Sequence, residues 1–245
     1  TEQYDVPKGL YGTSNPGIMT INEMFGSNLP ELFSYTVSPV EGQSGKAAKL
    51  QTVYTYMFLN GMDFNALLGG LVPYVTAGSL FTGIFKTDMN NTLNSTKFGV
   101  PFVGEPATFT GYYKYTPGTT YYNNKNEVVA DKTDECSIYA VLYEELLDEE
   151  NNNIPLNGDY NDPDLYIGSS KRIVMKAVLE DGTAKSDWIK FSIPFKLLEG
   201  KSYDATKKYY LAIVCSSSAE GDYFMGAPGS TLFIDSFTVT PQSVS

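Results

Sequence analysis

Apolar and polar positions alternate along this chain in short runs. The clearest run is Thr108 to Thr116, inside the stretch Glu105 to Pro117 that reads E-P-A-T-F-T-G-Y-Y-K-Y-T-P. Period-two alternation rich in threonine and aromatics, with proline on either side, predicts a long central β-strand. Successive strand side chains point to opposite faces. Phe109, Tyr113 and Tyr115 therefore share one face with Gly111, and Thr110, Tyr112 and Lys114 share the other. The first face reads as core. The second sets a tyrosine between a threonine and a lysine, a surface suited to a sugar or another polar ligand, and equally the ordinary solvent side of a strand.

The same reading carried along the chain predicts strands at Leu32 to Pro39, Lys46 to Phe58 and Gly78 to Lys86 before the central strand. After it come Cys136 to Glu145, Arg172 to Glu180, Asp187 to Phe195, Lys208 to Ser216 and Thr231 to Val239. Residues Thr1 to Pro30, punctuated by Gly12, Asn15-Pro16-Gly17, Asn28 and Pro30, read as an N-terminal entry with one short strand near Ile18 to Ile21. Asn65 to Leu71 is expected to make a helical turn, and Ser217 to Ser230 a glycine-rich hairpin region. Tyr121 to Asp134 and the very polar run Asp148 to Asp164 read as loops. Many short strands with hardly any helical period mean an all-β sandwich or barrel, mainly antiparallel. No repeat or linker divides the 245 residues, so 1–245 is read as one domain.

Composition narrows the chemistry. There is no histidine, which excludes a Ser-His-Asp triad, a Cys-His pair and a His-ligated zinc. A net charge of -11 repels nucleic acid and anionic membrane, so neither is expected as a partner. No apolar run is long enough to insert into a bilayer. Aromatic residues make up 14% of the chain, a load that suits strands and also sugar-stacking surfaces. Cys136 and Cys215 each continue an apolar strand face, which favours buried free thiols over a disulfide. The chain begins at Thr1 with neither a methionine nor an apolar leader, from which we expect a processed product whose export signal lies outside it.

Four ordered stretches look familiar: Gly42-x-x-Gly45-x-x-Ala48-x-Leu50; Gly111 to Pro117; Trp188-x-x-Phe191-x-Ile193-Pro194-Phe195; and the closing Gly229 to Asp235, G-S-T-L-F-I-D. Together they resemble the putative carbohydrate metabolism domain family, exported proteins of gut-dwelling Gram-negative bacteria, over nearly the whole chain. The resemblance implies a jelly-roll β-sandwich similar to galactose-binding and carbohydrate-binding modules. It also implies a place at the extracellular face of the outer membrane or in the periplasm, often behind an N-terminal immunoglobulin-like domain.

Three functions fit such a chain: a non-catalytic glycan-binding or adhesion module, a glycosidase-like enzyme on the same sandwich, and a structural module of a surface assembly. For the binder, aromatic rings stack on pyranose faces while neighbouring polar groups take the hydroxyls. Tyr112 and Lys114 are the leading residues, expected to be joined by Tyr139 from another strand, by Trp188, which alternates away from Ile189, Phe191 and Ile193, and by Tyr223 at the rim. The ligand would be an oligosaccharide or polysaccharide. Hydrolysis needs two facing carboxylates, for which Glu105, Glu144, Glu145, Asp187 and Asp222 are the candidates. A structural calcium is expected at Asp235: binding modules of the kind the resemblance implies often hold Ca²⁺ near an acid in the closing strand, and alternation from Phe233 to Phe237 buries this one. The loop acids Asp159, Asp162 and Asp164 lack the glycine and the distant glutamate of an EF-hand.

Overall fold

The computed structural model describes Tyr4 and residues 9–242. Of the predicted entry segment 1–30, residues 1–3 and 5–8 lie outside the described residues, as do 243–245. Two antiparallel sheets dominate. The larger has eight strands, with the main order β1 (Tyr11–Thr13), β8 (Ser79–Phe85), β16 (Tyr209–Ser216), β12 (Ser137–Glu144), β13 (Ile173–Val178) and β15 (Lys196–Leu197). Two short strands, β9 (Thr96–Phe98) and β10 (Val100–Phe102), add to β8 and β16. The smaller sheet has five strands in the order β14 (Lys185–Pro194), β11 (Pro106–Thr116), β17 (Thr231–Pro241), β3 (Lys46–Gln51) and β2 (Val37–Glu41). Two separate pairs are β4 (Val53–Tyr54) with β7 (Val75–Thr76) and β5 (Phe58–Leu59) with β6 (Met62–Asp63), and among the described residues no sheet closes into a barrel.

The core lies between the sheets. Phe109, Tyr113 and Tyr115 of β11 and Leu232 and Ile234 of β17 meet Ile138, Ala140, Leu142, Leu211 and Ile213 of the larger sheet. The predicted split of the central strand is therefore correct: Thr110, Tyr112 and Lys114 point away from this core. Position 111 faces inward with them, where a Cβ would sit 2.3 Å from the Phe237 ring and only glycine fits. Both cysteines are buried free thiols in this same core.

A second apolar layer covers the outer side of the larger sheet. There Phe81, Val141, Tyr143 and Val214 pack under Phe98 of β9 and under Leu156 and Ile167 from the loops. Arg172 pins those loops by donating to the Glu144 carbonyl at 3.0 Å, the Ile154 carbonyl at 2.7 Å and Asn153 Oδ1 at 3.0 Å. A third group packs Ile18 and Ile21 of an N-terminal helix against Met57 and Val72.

That helix corrects the sequence reading. Ile18 to Ile21 lies inside α1 (Asn15–Phe25), not in a strand. Pro16 suits a first helical turn, and Ile18, Ile21 and Phe25 recur at helical spacing. The Leu32 strand starts only at Val37, because the Asn22 carboxamide holds Phe33 N–H at 2.9 Å and its carbonyl at 2.8 Å, away from any ladder. The run predicted as one strand from Lys46 to Phe58 breaks into β3, β4 and β5. The helical turn is present as α2 (Phe64–Leu67). Ser217 to Ser230 is not a hairpin: it carries the chain from β16 in one sheet to β17 in the other.

That crossing is anchored by a buried carboxylate the sequence reading did not single out. Asp134 Oδ2 accepts from Ser218 Oγ at 2.6 Å, Ser230 Oγ at 2.7 Å and Ala227 N–H at 2.8 Å, while Oδ1 accepts from Glu135 N–H at 3.0 Å. Burial pushes this carboxyl above the ordinary aspartate range in spite of its donors. A raised folded-state value means that the folded protein holds the proton more tightly than the unfolded chain. The carboxyl's contribution to stability is thus complete below the unfolded aspartate value and is lost as pH rises through the folded one. The stability gap between the wild type and Asp134→Asn, followed by urea unfolding from acid to neutral pH, is expected to be widest at the acid end and to narrow upward. Burial also raises the thiols, Cys136 to about 12 and Cys215 well above its ordinary value. Since the thiolate is the reactive form, a bulky thiol reagent at neutral pH should modify neither cysteine in the native protein and both after denaturation, as counted by mass spectrometry.

Candidate functional site

The five predicted contact residues fall on two opposite sides of the sandwich. Tyr112 and Lys114 project from β11 onto the outer face of the smaller sheet. Trp188 projects from β14 onto the same face, since its neighbour Ile189 pairs with the inward Tyr113. The Lys114 ammonium lies 5.3 Å from the centre of the Trp188 ring and 4.5 Å from that of Phe233, and the two rings meet edge-on at 6.5 Å. Phe233 was not anticipated. Its alternation with Leu232 and Ile234, which fill the core, was the available signal. Tyr112 lies across from Lys190 on one side and Asp235 on the other.

The patch thus offers two rings, a half-buried tyrosine and cationic donors on one sheet face. A cation over aromatic faces is held by the ring quadrupoles. Ammonium and phenol also remain donors for hydroxyl or carboxylate groups arriving from solvent.

Asp235 is buried as expected, but from the outside. The β2–β3 turn folds over it: Ser44 N–H donates to Oδ2 at 3.1 Å, and Ser236 Oγ lies 3.0 Å from Oδ1. These partners are donors, so hydrogen bonds satisfy the carboxylate without a cation. Among the described residues no three His, Cys, Asp or Glu side chains gather as a metal site.

Tyr139 is not part of the patch. Its neighbours Ile138 and Ala140 fill the core, so pleating sends Tyr139 to the outer side of the larger sheet. There it lines a cavity of about 250 Å³ between α1, the outer face of the sheet and the loops at 87–96, 158–167 and 219–224. The walls are mostly apolar, with Ile21, Phe25, Phe98, Ile167 and Val214 among them. Tyr166 also lines it and donates its hydroxyl to Asp222 Oδ2. Burial is the main cause raising both the Asp222 carboxyl and the Tyr139 phenol above their ordinary ranges. Tyr223 is exposed next to this cavity, its ring 5.0 Å from that of Tyr160. Tyr166 and Asp222 lie 56 residues apart, and no local sequence signal joins them.

Of the carboxylates proposed for hydrolysis, two are ion-paired and one is exposed. Glu144 pairs with Lys207 at 2.7 Å and Glu145 with Lys208 at 3.9 Å, while Asp187 is exposed at the start of β14. Asp222 is the single carboxylate lining the cavity.

The molecule is a two-sheet β-sandwich with a ring-and-cation face. Comparison makes this specific: the family model described as "Putative carbohydrate metabolism domain" matches residues 1–240, and the chain belongs to that family. Two solved structures are similar over its length, each described as a "putative glycoside hydrolase". The one from Bacteroides thetaiotaomicron VPI-5482 is 32% identical with a TM-score of 0.76. The match covers 96% of this chain and 63% of that one, so this chain spans under two thirds of its relative's length. The one from Bacteroides vulgatus ATCC 8482 is 28% identical with a TM-score of 0.72, covering 98% of this chain and 90% of that one. No curated protein matches the chain.

The turn over Asp235 is a sensitive point of the patch. A Cβ at Gly42 would lie 2.5 Å from Asp235 Oδ2 and 2.9 Å from the Ala47 Cβ. Gly42→Ala is expected to push the carboxylate off Ser44 and to destabilise the fold by about 1–3 kcal/mol, measured by urea unfolding.

Proposed function

We propose that the domain is a non-catalytic glycan-binding module that takes an oligosaccharide or polysaccharide in carbohydrate capture or adhesion. In this reading it works at the extracellular face of the outer membrane or in the periplasm, in a protein that also carries an N-terminal immunoglobulin-like domain. The observation that carries the reading is the outer face of the smaller sheet, where Tyr112, Lys114 and Trp188 stand together with Phe233. Rings for stacking and adjacent donors for hydroxyls are what sugar recognition requires. Membership in the carbohydrate metabolism family supports the ligand class.

A second reading, a glycoside hydrolase, is favoured by the descriptions of the two similar structures and by the raised pKa of the half-buried Asp222. It needs a partner carboxylate about 5–9 Å from the acid. On the patch the cross-strand carboxylate beside Tyr112 is Asp235, already engaged by Ser44 and Ser236. Binding without cleavage is therefore the better account of this face.

A glycan array with the purified domain identifies the ligand, and titration calorimetry then tests the face. Losing one stacking ring removes about 1.5–3 kcal/mol of apolar burial, so Tyr112→Ala or Trp188→Ala is expected to weaken binding at least tenfold with the fold retained. Tyr139→Phe, on the opposite side, should bind as the wild type does. Undiminished binding by both Tyr112→Ala and Trp188→Ala would place the glycan elsewhere.

A further inference from the structure

The cavity on the larger sheet is chemically unlike the glycan face and calls for a different ligand. The cavity holds about 250 Å³, where a single water needs roughly 10–15 Å³, so the space admits a small organic molecule. Its walls come from α1 through Ile21 and Phe25, and from the sheet and loops through Phe98, Ile167 and Val214. Such walls suit an apolar body. Met24 and Met89 line the cavity and are 49% and 43% exposed. They mark its mouth with flexible side chains that adapt to an entering group.

Serine, threonine and tyrosine side chains also line the cavity, but its charge is one-sided. Asp222 is the only charged side chain among those lining the cavity, and the Tyr166 hydroxyl that donates to its Oδ2 holds it in place. We propose that this cavity binds a small molecule with an apolar body and an amine head, the amine seated against the Asp222 carboxylate. An anionic head would meet a carboxylate in a site with no lining base. A cationic head pairs with a carboxylate whose charge no lining base balances.

Two further observations agree. Burial raises the Asp222 carboxyl, the cost that a bound cation removes. Phe224, which also lines the cavity, has a left-handed backbone with φ of +58°, a conformation that costs energy for a bulky side chain and is found where binding sites hold a turn in place.

The test uses phenethylamine, phenethyl alcohol and phenylacetate, three probes sharing one apolar body with different heads. Binding is read by calorimetry and by amide chemical shifts on the wild-type protein and two variants. Asp222→Asn removes the charge. Gly17→Leu narrows the cavity from α1, where a Cβ at Gly17 lies 3.6 Å from the Phe85 ring, an ordinary contact. Phenethylamine should bind the wild type at least tenfold more tightly than the alcohol and leave phenylacetate unbound, with shifts centred on Val214 and Met24. Both variants should lose at least tenfold in amine affinity. The proposal is overturned if no probe binds the wild type, if all three bind alike, if the shifts lie elsewhere, or if Asp222→Asn keeps the amine affinity. The wild-type shift map decides the matter even where a variant does not fold. Glycan binding at the Tyr112 face is independent of every one of these outcomes.

Discussion

Asp134 is the contact on which the two-sheet arrangement turns. Its carboxylate gathers Ser218 and Ser230, the two ends of the crossing from β16 to β17, and the Ala227 N–H between them. The same hydroxyls reach outward. Ser218 Oγ shares a hydrogen bond with Thr52 Oγ1 at 2.6 Å, and Ser230 Oγ accepts from Gly118 N–H at 2.9 Å. Thr52 in turn meets Ser217 Oγ at 2.7 Å, which accepts from Gly78 N–H at 2.9 Å. Tyr115 closes the set by donating to the Ser217 carbonyl at 2.9 Å from the end of the central strand. Gly226 lets the loop pass this close, for a Cβ there would lie 2.3 Å from Ser218 Oγ. A buried polar network is favourable only when every member is satisfied, and among the described residues no buried side-chain nitrogen or oxygen lacks a partner.

This constraint reaches both candidate sites. By fixing where the chain leaves the larger sheet, it sets the 219–224 turn that brings Asp222 over the Tyr139 side of that sheet. By fixing where the chain enters the smaller sheet at Thr231, it sets the register that puts Phe233 across from Lys114 and Asp235 across from Tyr112. Buried amides do the same work for the covering segments. Asn15 holds Val37 through both N–H and carbonyl at 2.9 and 2.8 Å, and Asn65 receives Met57 N–H at 2.6 Å while donating to the carbonyls of Thr55, Val72 and Pro73. The result is a sandwich with one outer face open and ring-lined and the other roofed over a cavity.

The sequence by itself determined the fold class and the local two-sidedness of its strands. Alternation from Phe109 to Tyr115 decides which side chains share a face, because pleating has a period of two whatever the strand packs against. For the same reason Tyr112 and Lys114 were legible as a pair, and both cysteines as buried. The tertiary structure decided which faces meet. Tyr139 alternates as cleanly as Tyr112, but β12 lies in the other sheet, so the same pattern sends it to the far side of the molecule. The crossing of Ser217 to Ser230 between sheets is held by Asp134, whose partners in that segment lie 84 to 96 residues away. The helix over Ile18 and Ile21 was missed because a short apolar run carries either period until something packs against it. Long-range hydrogen bonds leave no periodic mark on a chain, and here they, more than the pattern, place the sites.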